Sequence, residues 1–165
     1  KQTSESDTTK ISFYEDTYSL YNLYRFAHYY EEAYGKYIWL KSGASLVIEH
    51  TEAMTVIDVN TGSVLKKKKQ EDTLFYQINR EAAKEIARQL RLRNISGIIM
   101  IDFINMKDTA QKEKLLSLLD SECKKDRVHC NVIDMTALNL VEMTRSKVRK
   151  PLHEQIRSCM KNNRS

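Results

Sequence analysis

Two aspartates, Asp58 and Asp102, each end a short apolar run and are the side chains best suited to chemistry in this sequence. Apolar residues dominate positions 54–57 and 97–101, which precede them. A carboxylate at the end of a buried strand needs a partner, because an unpaired charge away from water is costly. Two such acids at neighbouring strand ends can share one divalent cation. The hypothesis is therefore a magnesium site that cleaves phosphodiester bonds, as in RNA.

Magnesium chemistry fits this small set of oxygen ligands. Mg²⁺ prefers oxygen donors and keeps several waters, so one or two carboxylates are the expected contribution of the protein. Asn60 lies two residues after Asp58 and offers an amide oxygen or a hydrogen bond to a bound water. The ion can polarise a phosphoryl oxygen and orient an attacking water. We predict Asp58 and Asp102 as ligands of Mg²⁺, for which Mn²⁺ is expected to substitute.

Each aspartate also has a structural interpretation. Asp58 can cap the turn at residues 60–62, and the pattern alone leaves that alternative open. Asp102 stands at the carboxyl end of an apolar strand, where ligands bind in sheets of this kind. The functional interpretation is therefore favoured for Asp102.

Other catalytic chemistries find little support. The sequence has no glycine-rich phosphate loop, no GxSxG motif and no HExxH spacing among its four histidines. Its three cysteines are an odd number without CxxC spacing, which predicts reduced thiols and no zinc site. His129 and Cys130 are adjacent, and neighbours on a strand point to opposite faces. A thiol–imidazole pair is therefore disfavoured.

The first part of the chain predicts a helix and three strands. Apolar residues recur at helical spacing over residues 17–34, namely at Leu20, Leu23, Tyr24, Ala27 and Tyr30. The many tyrosines between Tyr14 and Tyr37 could stack on bases, but packing is the favoured interpretation. Strands are predicted at 37–41, 45–49 and 54–59. Their tight connections favour an antiparallel meander.

The central part predicts a helix followed by a buried strand. Residues 79–93 show an amphipathic pattern, and Asn79 is expected to cap the helix. Residues 98–101 are apolar at every position. That pattern is typical of a strand covered on both faces and parallel to a neighbour.

The last part predicts a second helix and two strands. Asp108 is expected to cap a helix that reaches about residue 125, with Gln111 in a capping-box position. A strand follows at 130–135, residues 138–144 are predicted as a last strand or a strand–helix turn, and a basic tail is expected to begin at Arg145. The predicted fold class is α/β, a mixed β-sheet that combines a three-strand antiparallel meander with βα units, with helices packed on its faces.

Composition bounds the organisation of the chain. With 165 residues and 41% apolar content, the chain fits one domain with a real core. We expect a disordered segment at 1–12, a catalytic domain at 13–152 and a tail at 153–165. No apolar run is long enough to span a membrane, no signal peptide is predicted, and a cytoplasmic location is expected. Because the chain begins with Lys1, we expect a fragment or a processed form.

Positive charge favours a polyanionic partner. The formal net charge is +5, and Lys66 to Lys69 form a continuous basic run. Such a run is usually a solvated loop. In a nucleic-acid enzyme it can instead be a basic arm, where each neutralised phosphate adds salt-sensitive affinity.

Several motifs carry a family resemblance. They lie at 39–43 (WLKSG), 46–49 (LVIE), 51–53 (TEA), 57–62 (IDVNTG), 81–93 (EAAKEIARQLRLR), 101–104 (IDFI) and 140–145 (LVEMTR). In this order and spacing they closely resemble the ribonuclease E/G family over about residues 17–152. The resemblance implies a DNase I-like catalytic subdomain. It also implies an enzyme that cuts single-stranded RNA in RNA processing and decay, leaving a 5′-phosphate on the downstream product.

The resemblance also implies roles for individual residues. Asp58 and Asp102 match the magnesium-binding aspartates of the family, and Asn60 matches the asparagine that supports the metal-bound water. Arg127 and His129 match a region that contacts RNA beside the metal. We add three basic residues as predicted RNA contacts, Lys41, Lys66 and Lys67.

The sequence departs from the family pattern at three places. Asn105 stands where many members have a second aspartate, and Ala44 replaces a common glycine. The cysteines that link subunits through zinc are absent, so a zinc-linked dimer is not predicted and homo-oligomer formation stays open.

Two further hypotheses compete with the endoribonuclease. A non-catalytic RNA-binding or assembly module would bind RNA without needing magnesium or either aspartate. A metal-dependent phosphatase or deoxyribonuclease would share the metal site and differ in its substrate.

Overall fold

A computed structural model describes residues 13–62 and 71–162 of the chain. The predicted disordered segment 1–12 and the basic run from Lys66 to Lys69 lie outside the described residues. The chain divides into two compact units, Lys1–Glu31 and Glu32–Ser165.

Within the described ranges, the chain forms helices and strands in the order that the sequence predicts. The helices are α1 (Leu20–Leu23), α2 (Phe26–Tyr34), α3 (Glu71–Leu92), α4 (Thr109–Cys123) and α5 (Leu152–Asn162). The strands are β1 (Tyr37–Trp39), β2 (Ser45–His50), β3 (Met54–Asn60), β4 (Gly97–Asp102), β5 (Cys130–Met135) and β6 (Leu140–Arg145).

In the first unit, the prediction of one continuous helix over 17–34 is wrong. Arg25 adopts φ 51°, a left-handed conformation that interrupts the helical hydrogen-bond ladder between α1 and α2. The apolar residues that were expected to pack are exposed instead. Leu20, Leu23 and Tyr24 are 44%, 47% and 57% exposed.

The second unit is built on a six-stranded sheet with the order β1-β2-β3-β4-β6-β5. Strands β1, β2 and β3 form the predicted antiparallel meander. Strand β4 runs parallel to β3 and antiparallel to β6, which in turn pairs with β5. The mixed α/β fold class is therefore confirmed.

Helices α3 and α4 pack on one face of this sheet. Ile57 and Ile101 share a buried cluster with Ile86 of α3 and Leu115 of α4. Side chains alternate along a strand, so the intervening residues point to the other side. Among the described residues this other side, which we call the open face, carries Tyr37, Trp39, Val47, Val56, Asp58, Asn60, Ile98, Met100 and Asp102. The prediction that 98–101 is covered on both faces is wrong, because Ile98 is 49% exposed.

Helix α3 begins well before the predicted start at Asn79. Leu74 and Ile78 are buried and extend the apolar stripe of the helix by two turns toward its N-terminus. Asn79 therefore lies inside the helix and is fully buried, so it is not the cap. The predicted cap of α4 is confirmed, since Asp108 accepts a hydrogen bond from the Ala110 amide at 2.9 Å.

Arg145 is a buried residue of β6, and the prediction that it begins a solvated basic tail is wrong. Its Nε donates to Asp126 Oδ2 at 2.9 Å, and both side chains are less than a tenth exposed. Its Nη1 donates to Asn94 Oδ1 and to the Ile95 carbonyl. Arg145 thus ties the end of β6 to the loop before β5 and to the segment after α3.

Candidate functional site

Asp58 and Asp102 are direct register partners on the parallel strands β3 and β4. Partners on adjacent strands lie about 4.8 Å apart and present their side chains to the same face. Both carboxylates therefore stand side by side on the open face, at the carboxyl end of the β3–β4 pair. This proximity is the condition on which the magnesium hypothesis depends.

The two carboxylates repel one another. Partial burial raises the pKa of Asp102, and the negative charge of Asp58 raises that pKa further. A shared cation would relieve this repulsion, because a positive charge favours the ionised form of both acids. The carboxylate pair is therefore electrostatically suited to binding a shared cation.

Asn60 holds the Asp58 carboxylate from the same side of β3. Its Nδ2 donates to Asp58 Oδ2 at 2.7 Å. Residues two apart on a strand share a face, so this contact follows from the strand geometry. The hydrogen bond orients Asp58 and leaves the amide oxygen of Asn60 to accept from another donor.

Glycine is required immediately after β3. Gly62 has φ +57°, and a Cβ atom there would lie 2.7 Å from the Gly43 carbonyl oxygen. The turn after β3 therefore packs backbone to backbone against the turn between β1 and β2. That contact supports the strand end that carries Asp58 and Asn60.

The segment after β4 is held by a buried amide. Asn79 Nδ2 donates to the Ile104 carbonyl at 2.8 Å, and the Ile104 amide donates to Asn79 Oδ1 at 3.0 Å. Ile104 lies two residues beyond Asp102, so α3 sets the path of the chain as it leaves the candidate site. The sequence pattern places Asn79 on the helix but gives no sign of this long-range role.

Lys112 of α4 is a further cation near this end of the sheet, and no pattern in the sequence indicates its role. Its Nζ donates to Asn139 Oδ1 at 2.6 Å. Asn139 precedes Leu140, which is the register partner of Asp102 on β6. A positive charge therefore lies at the same end of the sheet as the carboxylate pair.

Of the predicted RNA contacts, Lys41 lies at the same end of the sheet as the carboxylate pair. Lys41 is exposed in the turn after β1, at the end of the sheet where β2 pairs with Asn60. Glu81 of α3 holds this turn, accepting from the Lys41 amide at 2.7 Å. Lys66 and Lys67 lie outside the described residues.

Arg127 and His129 are not beside the carboxylates, which corrects the expectation from the resemblance. They precede Cys130 of β5, which pairs with Arg145 of β6. Arg145 in turn pairs with Gly97 at the start of β4. Gly97 and Asp102 are separated by five residues of β4, or about 17 Å. Any contact of these two residues with RNA would be remote from the carboxylates.

A cleft of about 450 Å³ lies elsewhere, beside the start of β3. Its lining includes Lys36, Arg93 and the rings of His50 and His153, which stack at 3.8 Å between centroids. His50 pairs with Thr55 at the opposite end of β3 from Asp58. The cleft contains no predicted site residue.

The donor set at the carboxylate pair suits a hard divalent cation. Within residues 13–62 and 71–162, no group of three or more histidine, cysteine, aspartate or glutamate side chains is placed to hold a metal. Two carboxylates with an adjacent amide are nevertheless the share that Mg²⁺ takes from a protein. The residues present therefore fit magnesium better than a metal that prefers sulfur or imidazole ligands.

Comparison with known proteins identifies the relatives of the chain. The sequence model of the Ribonuclease E/G family matches residues 1–148. Ribonuclease G of Escherichia coli (strain K12) is 41% identical over 145 residues, or 88% of this chain and 29% of that protein. Ribonuclease G of Haemophilus influenzae is 42% identical over 143 residues, with shares of 87% and 29%. Ribonuclease E of Nostoc sp. is 37% identical over 144 residues, with shares of 87% and 21%. The chain spans less than a third of the length of these relatives.

Proposed function

The chain belongs to the ribonuclease E/G family, and we propose that it is a magnesium-dependent endoribonuclease domain. Its substrate would be single-stranded RNA, cleaved by phosphodiester hydrolysis during RNA processing and decay. The observation that supports this most directly is the register pairing of Asp58 with Asp102 on the open face. We also propose a cytoplasmic location. The described part of the chain contains no helix with the length and apolarity of a membrane span.

Asp58 and Asp102 would hold the ion, and Asn60 would keep Asp58 in its binding orientation. A bound magnesium ion supplies Lewis-acid polarisation of the phosphoryl group and neutralises negative charge. The carboxylates must be ionised to bind it. Since burial and Asp58 raise the pKa of Asp102, that residue controls the acidic limit of metal binding.

Basic side chains at the same end of the sheet as the two aspartates would bind the RNA backbone. Lys41 and Lys112 lie near the carboxyl end of the β3–β4 pair, and Lys66 and Lys67 are proposed to add to them. Each phosphate that a cation neutralises adds salt-dependent affinity. Arg127 and His129 remain proposed RNA contacts, but at a distance from the scissile phosphate.

Cleavage of an end-labelled, A/U-rich single-stranded RNA tests this function. Cleavage should require Mg²⁺, cease with a chelator and leave a 5′-phosphate on the downstream product. Asp58→Asn and Asp102→Asn should each abolish it, whereas Asp134→Asn, an exposed acid on β5, should not. RNA binding that is sensitive to salt but indifferent to Mg²⁺ and to both aspartates would instead identify a non-catalytic binding module.

A further inference from the structure

Two aromatic rings stand on the open face at the edge of the sheet. Trp39 and Tyr37 of β1 are 72% and 61% exposed, while Ile38 between them is 5% exposed and belongs to the core. The alternation of side chains along a strand therefore assigns both residues to the open face. Burying such rings would remove a large apolar area from water, so their exposure leaves binding surface available.

Register places these rings in line with the candidate site. Tyr37 pairs with Val47, which pairs with Asp58. Trp39 pairs with Ser45, which pairs with Asn60. Two strand spacings separate each ring-bearing residue from its counterpart on β3, or about 10 Å. Exposed apolar residues are common on protein surfaces, but these two share rows with Asp58, a proposed metal ligand, and with Asn60, which orients it.

We propose, resting on the proposed RNA cleavage, that Trp39 with Tyr37 beside it forms a stacking platform for an unpaired RNA base near the scissile phosphate. A stacked strand advances about 3.4 Å per nucleotide, so a reach of about 10 Å covers about three nucleotides. Lys41, two residues after Trp39, places a cation at the same end of β1 for the backbone. Aromatic rings beside a basic track are the usual means of holding single-stranded nucleic acid.

This platform gives a physical basis for selecting single strands. The flat face of a base is available to an indole only when the base is unstacked from its neighbours, as in loops and single strands. Stacking uses the face of the ring and not its hydrogen-bonding edge, so all four bases are accepted. The platform would therefore favour unpaired RNA without dictating a sequence.

Tryptophan fluorescence tests the platform directly, because Trp39 is the single tryptophan of the chain. The full chain carrying Asp102→Asn is titrated with a single-stranded RNA and with the same RNA paired to its complement. The single strand should quench the emission and the duplex should leave it unchanged. Unchanged emission at saturating single strand, with binding followed by a label on the RNA, would overturn the proposal.

A substitution series separates base stacking from other uses of this surface. Trp39→Ala should weaken RNA binding roughly 5- to 150-fold, the effect of losing one base–aromatic stack. Trp39→Phe should restore most of the loss. Ile98→Ala is the matched control, since Ile98 is an exposed apolar residue on the open face at the far end of β4. Equal losses of RNA binding for Trp39→Ala and Ile98→Ala would show that the effect is not specific to the ring of Trp39 and would overturn the proposal.

Abasic RNAs locate the stacked base. Removing one base at a time within three positions of the cleaved bond should weaken wild-type binding at one position. At that position Trp39→Ala should cause no further loss, because the same contact is already missing. Additive losses at every position would overturn the platform.

The failures of the two proposals can be told apart. Mg²⁺-dependent cleavage that is unaffected by Trp39→Ala and by the abasic RNAs would support the nuclease and contradict the platform. Quenching of the Trp39 emission by single-stranded RNA, without any cleavage by the wild type, would support the platform and contradict the nuclease.

Discussion

Asn79 of α3 binds both backbone polar groups of Ile104, two residues beyond Asp102, at 2.8 and 3.0 Å. Removing a buried partner leaves its counterparts unsatisfied and costs about 1–3 kcal/mol. We therefore expect Asn79→Ala to destabilise the chain by that amount, as measured by urea unfolding. Because the path of the chain after β4 is released, magnesium affinity should also fall.

Gln89 supplies a matched control on the same helix. It is fully buried, accepts from Arg93 at 2.6 Å and donates to Glu85 at 2.7 Å, away from the carboxylates. Gln89→Ala should cost comparable stability yet leave magnesium affinity unchanged at a temperature where both variants are folded. Equal magnesium affinities for the two variants would show that Asn79 serves stability alone.

Replacing either aspartate should remove cleavage and change the response to magnesium. Asp58→Asn and Asp102→Asn should each reduce cleavage at least about 100-fold, equivalent to about 2.7 kcal/mol of barrier. Without magnesium, both variants should melt at a higher temperature than the wild type, because a repulsive charge is gone. Magnesium should raise the melting temperature of the wild type only. Asp134→Asn should behave as the wild type in both measurements.

The acidic limit of activity should follow Asp102. Burial, then the charge of Asp58, raises its pKa above the ordinary value of 3.8, so cleavage should fall as the pH drops through this raised value. The folding stability of the metal-free protein changes with pH in the opposite direction to activity. An acid whose pKa is raised by folding makes the metal-free protein less stable as the pH rises from 3.8 through the raised pKa. Carboxyl NMR titration should show the pKa of Asp102 falling in Asp58→Asn, by the part that is due to repulsion.

Gly62 should tolerate alanine less well than Gly97. Both have positive φ, which costs alanine about 1 kcal/mol or more. At Gly62 the new methyl would also meet the Gly43 carbonyl oxygen at 2.7 Å, whereas nothing lies within 4 Å at Gly97. Urea unfolding should therefore show a larger loss for Gly62→Ala. Cleavage should also fall for that variant alone, since its turn supports Asn60. Equal losses of stability would show that the backbone contact relaxes freely.

The buried pair of Arg145 and Asp126 should carry much of the stability of the β4–β6–β5 half of the sheet. Arg145→Gln leaves Asp126 uncompensated and should cost about 3–5 kcal/mol in urea unfolding. Adding Asp126→Asn should recover part of that loss, because the orphaned charge is removed. A double variant as unstable as Arg145→Gln alone would contradict this account.

The same pair should make stability depend on pH. Burial alone would raise the pKa of Asp126, but hydrogen bonds from Arg145 and from the Val128 amide outweigh it and lower the pKa. The pair therefore contributes fully above the ordinary value of 3.8, and its contribution is lost as the pH falls through the lowered pKa. The Asp126→Asn, Arg145→Gln double variant should lack this acid-sensitive part of the unfolding free energy.

Local patterns in the sequence were enough to locate most of the elements. Alternating and 3.6-residue periodicities predict the meander, α4 with its Asp108 cap, and β5 and β6, because they report which side of an element avoids water. The acids that end two apolar strands, and the resemblance to the ribonuclease E/G family, indicate the chemistry. The start of α3 and the break at Arg25 were missed, since packing and backbone conformation override local propensity there.

Contacts between distant segments depend on packing that no local pattern contains. A shift of one residue between β3 and β4 would put Asp58 and Asp102 on opposite faces, so their pairing rests on the register. The burial of Arg145 and the bond from Asn79 to Ile104 join residues far apart in the chain. The same strand order moves Arg127 and His129 to the far end of β4 and sets Trp39 in line with Asn60. The residues supply the chemical groups, and the register of the folded sheet sets which of them meet, because that register is selected by the burial of the whole core.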